Sequence, residues 1–175
     1  MSVRKIIAGM AAVLSLAAPA AMAGQYEFDD QIPIARFAKG LKFSDYPVAV
    51  YKGPRKLPRF SGDQRQYAFF ETRIRNSVKE GPAFAGDMGV AYFGCGTDCT
   101  MGYITNVRTG RIYELPGGGD DNPDFRIDFR AGSRLMKTLW RKGYSDNPTC
   151  VQEFYEWTGT RFRRLRTRQA RGPVS

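Results

Sequence analysis

Three cysteines are the residues of this 175-residue chain that most directly suggest chemistry. Cys95 and Cys99 have three residues between them, and Cys150 lies far along the sequence. An exposed thiolate can exchange disulfides with other proteins, but the usual redox motif has two intervening residues. We therefore expect a structural bridge. A bridge from Cys150 to either of the other two would close a long loop and stabilise the fold by roughly 4 kcal/mol, whereas a Cys95–Cys99 bridge would close a small loop and constrain the chain much less. We favour Cys99 with Cys150. One of the three cysteines is then left unpaired.

Histidine is absent from the sequence. Its absence excludes Ser-His-Asp and Cys-His catalysis and the commonest zinc sites. Carboxylate pairs such as Glu153 with Glu156, or Asp87 with Asp98, could serve glycoside hydrolysis only if folding placed them at the separation that this mechanism needs. Thiol–disulfide exchange at Cys95 and Cys99 is the one enzymatic alternative that the sequence supports.

An oxygen-rich loop is a weak candidate for a metal site. It contains Asp120, Asp121, Asn122 and Asp124, and carboxylate and amide oxygens are the ligands that Ca²⁺ prefers. The loop lacks the alternating ligands and the distant bidentate Glu of an EF-hand. We expect a solvated loop and no cofactor.

Arginine is concentrated at the C-terminal end of a chain whose formal net charge is +10. Guanidinium groups bind carboxylates and phosphates bidentately, and aromatic residues often supply binding energy beside them. The alternative is a strand with one buried aromatic face and one solvated basic face. The predicted binding residues are Arg161, Arg163, Arg164, Arg166 and Arg168, with Tyr155 and Trp157.

One helix and several strands must position these residues. Apolar side chains at Tyr67, Phe70, Ile74 and Val78 share one helical face, Asp63 could cap the helix, and Gly81 with Pro82 would end it. The sequence predicts an α+β fold, in which one helix packs on a mainly antiparallel sheet or a small barrel-like domain. The β-prone segments are 88–93, 101–107, 111–115, 125–129, 134–140, 151–157 and 160–166, with a possible short strand at 48–51.

The first 23 residues have the form of a secretory signal peptide. Arg4 and Lys5 precede an uncharged apolar run, and Ala21-Met22-Ala23 provides a small-x-small cleavage site. The run is too short to span a bilayer, so we expect a periplasmic or secreted protein with no transmembrane segment after cleavage. The predicted organisation continues with an irregular segment (24–62), the α+β domain (63–166) and a basic flexible tail (167–175).

Four short segments in order resemble a family of small exported bacterial proteins. They are Gly81-Pro82-Ala83-Phe84-Ala85-Gly86, Phe93-Gly94-Cys95-Gly96-Thr97-Asp98-Cys99, Thr109-Gly110-Arg111-Ile112-Tyr113 and the aromatic ending 155–162. The resemblance implies the same kind of fold and an exported location, and it implies no activity because none is established for the family. Asp87 stands where the family usually has a histidine, so a role that needs an imidazole is not expected here.

These observations favour a non-catalytic exported binding module. Outside the cytoplasm the abundant polyanions are lipid head groups and envelope polymers, so the expected partner is an anionic envelope component or a periplasmic protein, and nucleic acid is not expected. An inhibitor or immunity protein of a periplasmic cell-wall enzyme, acting through a loop such as 117–124, is the first alternative. A thiol–disulfide exchange protein is the second.

Overall fold

The computed structural model describes residues 40–143 and 148–171. The predicted signal peptide (1–23) and the first part of the predicted irregular segment lie outside these residues. Within these residues the elements are one α-helix, two 3₁₀ helices (Phe43–Asp45 and Gly62–Phe70) and seven strands. The helix is α1 (Glu71–Glu80), and the strands are β1 (Met88–Gly96), β2 (Cys99–Asn106), β3 (Ile112–Glu114), β4 (Arg126–Phe129), β5 (Leu135–Lys142), β6 (Thr149–Trp157) and β7 (Phe162–Arg171).

The strands form two antiparallel sheets. One sheet has the order β1-β2-β3, and the other has the order β4-β5-β6-β7. The α+β prediction is confirmed, but the strands are divided between two sheets and do not close into a barrel within the described residues. No helix in residues 40–143 and 148–171 is long and apolar enough to cross a membrane.

The three-stranded sheet lies between the helix and the four-stranded sheet. Alternate residues of a strand point to opposite faces, so each side of β1 packs against a different layer. Ala91 and Phe93 pack with Ile74 of α1, whereas Met88 joins the core between the sheets. That core also contains Phe84, Ile104, Ile127, Phe129, Met136 and Trp157.

The predicted helical face is confirmed, although the helix begins later than expected. Ile74 and Val78 are fully buried, and Tyr67 and Phe70 pack on the same cluster as Ile74. Residues 62–70 form a 3₁₀ helix ahead of α1. Asp63 does not cap this 3₁₀ helix, because it lies inside it, after the N-cap residue Ser61, and its carboxylate pairs with Arg111 at 2.5 Å.

Two predictions at the ends of the domain are wrong. Residues 48–51 form no strand. Pro47 makes an isolated bridge to Ser133, and the N–H groups of Val48 and Tyr51 donate to the carbonyls of Gly132 and Gly86, which belong to two different loops. The predicted flexible tail is a strand as far as Arg171, since residues 149–152 of β6 offer it a complete ladder. Residues 172–175 lie outside the described part of the chain.

A close approach between α1 and β1 gives a first prediction. A methyl group at Gly89 would lie 2.6 Å from the carbonyl oxygen of Ser77, whereas at Gly94 of the same strand the nearest atom would be 3.8 Å away. We expect Gly89→Ala to force the helix outward and lower the free energy of unfolding by about 1–3 kcal/mol. Urea denaturation measures this, with Gly94→Ala as the matched control. Equal denaturation midpoints for the two variants would show that the helix–strand contact is not tight.

Candidate functional site

Strand β7 carries most of the C-terminal arginines, and three of them lie on the outer side of the four-stranded sheet. Its register with β6 shifts by one residue, because Arg164 lies opposite Tyr155 and Arg166 lies opposite Phe154. Leu165 is therefore the extra residue of a β-bulge. The bulge places three arginines on one face, where they lie opposite Glu156, Phe154 and Gln152, and we call them the arginine row: Arg163, Arg166 and Arg168.

Arg164 lies on the other face and is tied to a buried carboxylate. Glu153 of β6 is 8% exposed, and Arg164 donates a hydrogen bond of 3.1 Å to its Oε1. Thr167 Oγ1 donates to the same oxygen at 3.2 Å, and Tyr155 donates to Oε2 at 2.9 Å. The bond to Glu153 raises the pKa of the Arg164 guanidinium above its usual value. The role of Arg164 is therefore to neutralise Glu153.

Glu156 holds the first arginine of the row. It is also 8% exposed, and it accepts a hydrogen bond from Arg163 while Arg134 lies 3.5 Å from its other oxygen. β6 is regular between Glu153 and Glu156, because its register with β5 is unbroken there. Residues three positions apart on a regular strand point to opposite faces, so the two carboxylates lie on opposite faces of β6. They cannot flank one scissile bond, and the glycosidase alternative is wrong for this pair.

The remaining predicted arginines are available to a partner. The side chains of Arg161 and Arg166 are exposed and have no hydrogen-bond or ion-pair partner among the described residues. The Arg168 guanidinium lies 5.9 Å from the centre of the Phe154 ring, at a distance where cation and ring attract one another. The predicted binding set thus separates into two arginines that neutralise buried carboxylates, the half-buried Arg168 over Phe154, and two arginines that face solvent, Arg161 and Arg166.

The prediction that two aromatic residues, Tyr155 and Trp157, lie on the binding surface is wrong. Tyr155 is 8% exposed and Trp157 is 3% exposed. Trp157 packs against Tyr113 and Phe162, with ring centres 4.9 and 5.0 Å away. The alternative of one buried face opposite one solvated face is also wrong for β6, because Phe154, on the face opposite to Tyr155 and Trp157, is fully buried as well.

The predicted Cys99–Cys150 bridge is also wrong. Cys95 and Cys99 form the disulfide, with Cα atoms 5.1 Å apart, and Cys150 is a buried free cysteine. The β1–β2 ladder brings Cys95 and Cys99 together beside the turn of this hairpin. Cys150 belongs to the other sheet and packs with Leu139 and Ala170. Burial raises the pKa of the Cys150 thiol. The bridge therefore closes a hairpin and does not join the two sheets.

The acidic loop is partly engaged by an arginine. Arg141 of β5 lies 2.9 Å from the carboxylate of Asp124 and 3.6 Å from that of Asp98, while Asp120 and Asp121 are exposed. In the part of the chain that the structure describes, no three His, Cys, Asp or Glu side chains are grouped so as to hold a metal. The fold does not bring the candidate calcium ligands together.

A cleft of about 420 Å³ beside the β6–β7 turn was not foreseen from the sequence. Its polar lining includes Asp87, which accepts a hydrogen bond of 2.9 Å from Asn106 Nδ2, and Arg108, which lies 5.1 Å from the Tyr51 ring centre. Arg134 lies at the same cleft and contacts Glu156. Since the lining comes from separate segments, no local pattern in the sequence could predict it. A sequence pattern could have pointed to the carboxylate partners of the arginines, since one strand of the last hairpin carries Glu153 and Glu156 and the other carries arginines.

The buried phenol of Tyr155 gives a prediction for alkaline pH. Burial, and then its bond to Glu153, raise the pKa of Tyr155 above the ordinary value of 10.0. Its contribution to stability is therefore complete below about pH 10, where an unfolded tyrosine is still protonated, and is lost as the pH rises further. We expect the free energy of unfolding to fall above pH 10 by up to about 1.4 kcal/mol per pH unit from this group. Urea denaturation should show a shallower fall for Tyr155→Phe; identical slopes would contradict the assignment.

Thiol labelling tests the cysteine arrangement. We expect iodoacetamide to modify Cys150 at least about tenfold more slowly in the native protein than in denaturant, because the thiol is buried and its pKa is raised. Peptide mass analysis without reduction should recover Cys95 linked to Cys99. A peptide linking Cys150 to either of them would contradict the structure.

No protein-family model, curated protein or solved structure matches this chain. The resemblance to small exported bacterial proteins therefore stays a prediction.

Proposed function

We propose that this chain is a non-catalytic exported binding protein whose C-terminal hairpin holds an anionic component of the cell envelope or an anionic protein partner. The observation that carries the proposal is the division of the arginines. Arg163 and Arg164 neutralise the buried carboxylates, so the exposed guanidinium groups of Arg161 and Arg166 face no competing acid within the described residues.

The position of these arginines on a fully paired strand supports binding. β7 pairs with β6 along its whole length, so the backbone beneath the arginine row is fixed before a partner arrives. Residues two apart on a strand are roughly 6.5–7 Å apart, which suits a partner with regularly repeated negative charges. Less conformational entropy is then lost on binding than with a flexible tail.

Export is the second part of the proposal, and it comes from the sequence of the first 23 residues. It restricts the partner to molecules outside the cytoplasm. Anionic lipid head groups, cell-wall polymers and periplasmic proteins remain the candidates, and each presents phosphate or carboxylate groups to guanidinium.

Neutralising the exposed arginines tests the proposal. We expect Arg161→Gln/Arg166→Gln/Arg168→Gln to weaken binding to isolated cell envelopes at least about tenfold at low salt, because several ion contacts are lost together. The wild-type affinity should fall as salt is added. Cosedimentation measures both effects, and urea denaturation should show a stability within about 0.5 kcal/mol of wild type, as expected for surface changes.

The matched control removes the same charge elsewhere. Lys52→Gln/Arg59→Gln/Arg65→Gln changes three exposed cations far from β7 in sequence and should leave binding nearly unchanged. Equal losses in the two variants would indicate a non-specific charge effect, and salt-insensitive binding would contradict the electrostatic basis. Arg164→Gln is excluded from the test set because it would leave Glu153 without its arginine.

A further inference from the structure

The outer edge of β7 is the long open edge of the four-stranded sheet. β7 has ten residues, and β6 is the only described strand that pairs with it. In an antiparallel ladder about half of the backbone N–H and C=O groups of an outer strand point away from its partner. Such an edge can accept a further strand from another chain.

Two of the other sheet edges, those of β4 and β3, offer much less. β4, at the other side of the same sheet, has only four residues. In the three-stranded sheet, the edge of β3 is covered by a side chain, because the buried Gln64 accepts the N–H of Ile112 at 2.8 Å. The Gln64 amide also donates to the carbonyl of Gly110 at 3.4 Å, so it takes the place of a neighbouring strand. No described side chain covers β7 in this way.

The charges on β7 determine which strand it can accept. A second copy paired through the same edge would bring the arginine row of one molecule beside that of the other, and like charges across a ladder are destabilising. An acidic strand would instead place carboxylates beside Arg166 and Arg168. Because the bulge at Leu165 gathers Arg163, Arg166 and Arg168 on one face, the complementary strand needs acids at alternate positions.

We propose that β7 accepts an extended acidic segment of another polypeptide as a fifth strand of this sheet. The backbone of that segment bonds to the open edge of β7, and its alternate Asp or Glu side chains contact the arginine row. This inference depends on the proposed function, since it specifies the partner of the same surface. Main-chain bonds provide affinity in such complexes, and the alternate side chains provide specificity.

Two synthetic peptides separate strand addition from simple charge attraction. The first has about ten residues in which Glu alternates with Thr or Val, the β-prone types. The second has the same sequence with two consecutive central amides N-methylated, so that both of its edges lose a donor while its charge is unchanged. We expect the full folded protein to bind the first at least about tenfold more tightly in isothermal titration, and the first peptide to slow hydrogen exchange in β7.

A charge exchange provides the matched variant. Arg166→Glu/Arg168→Glu should lose the acidic peptide and gain a peptide with Lys in place of Glu, because the edge hydrogen bonds are kept while the sign is reversed. This gain distinguishes a changed preference from a folding defect. Arg59→Glu/Arg65→Glu should keep the wild-type preference.

The outcomes distinguish failure of this inference from failure of the proposed function. Equal affinities for the two peptides, together with salt-sensitive binding of both or of phosphatidylglycerol vesicles, would overturn strand addition and leave anion binding intact. No binding of peptides, vesicles or isolated envelopes would overturn both. Methylation-sensitive binding that charge reversal inverts would support the acidic strand.

Discussion

Glu153 and Glu156 lie on opposite faces of β6, and each keeps less than a tenth of its surface in contact with solvent. An ionised carboxylate in such a position is costly unless hydrogen bonds and positive charges replace the water it has lost. Arg164, Thr167 and Tyr155 surround Glu153, and Arg163 with Arg134 contacts Glu156. Most of the groups that bond to these carboxylates come from β7. The position of β7 beside β6 is therefore tied to the need to compensate two buried carboxylates.

The bulge at Leu165 decides which residues of β7 lie opposite these carboxylates. Adjacent residues of a regular strand point to opposite faces, and Arg163 and Arg164 meet Glu156 and Glu153 in that way. The extra residue then changes the phase, so Arg166 and Arg168 join Arg163 on one face while Thr167 returns to Glu153. The register of β7 thus brings Arg163 and Arg164 to the buried carboxylates and leaves the side chain of Arg166 exposed to solvent.

The cysteines illustrate a limit of reasoning from loop entropy. Chain entropy favours a long loop for the bridge, but a disulfide also needs Cα atoms within about 7 Å. The β1–β2 hairpin meets that distance for Cys95 and Cys99, and the separation of the two sheets places Cys150 in a different environment. Tertiary pairing, which spacing does not encode, therefore overrides the entropic preference.

The sequence by itself determined the fold class, the apolar face of Ile74 and Val78, and the approximate positions of all seven strands, because these depend on local periodicity and turn residues. The tertiary structure alone decided that the strands divide into two sheets, that Cys95 bonds to Cys99, and that Tyr155 and Trp157 are buried. It also decided which arginines face Glu153 and Glu156 and which face solvent. The physical reason is that burial and charge pairing depend on the register between strands, and a single bulged residue changes that register without changing the local pattern.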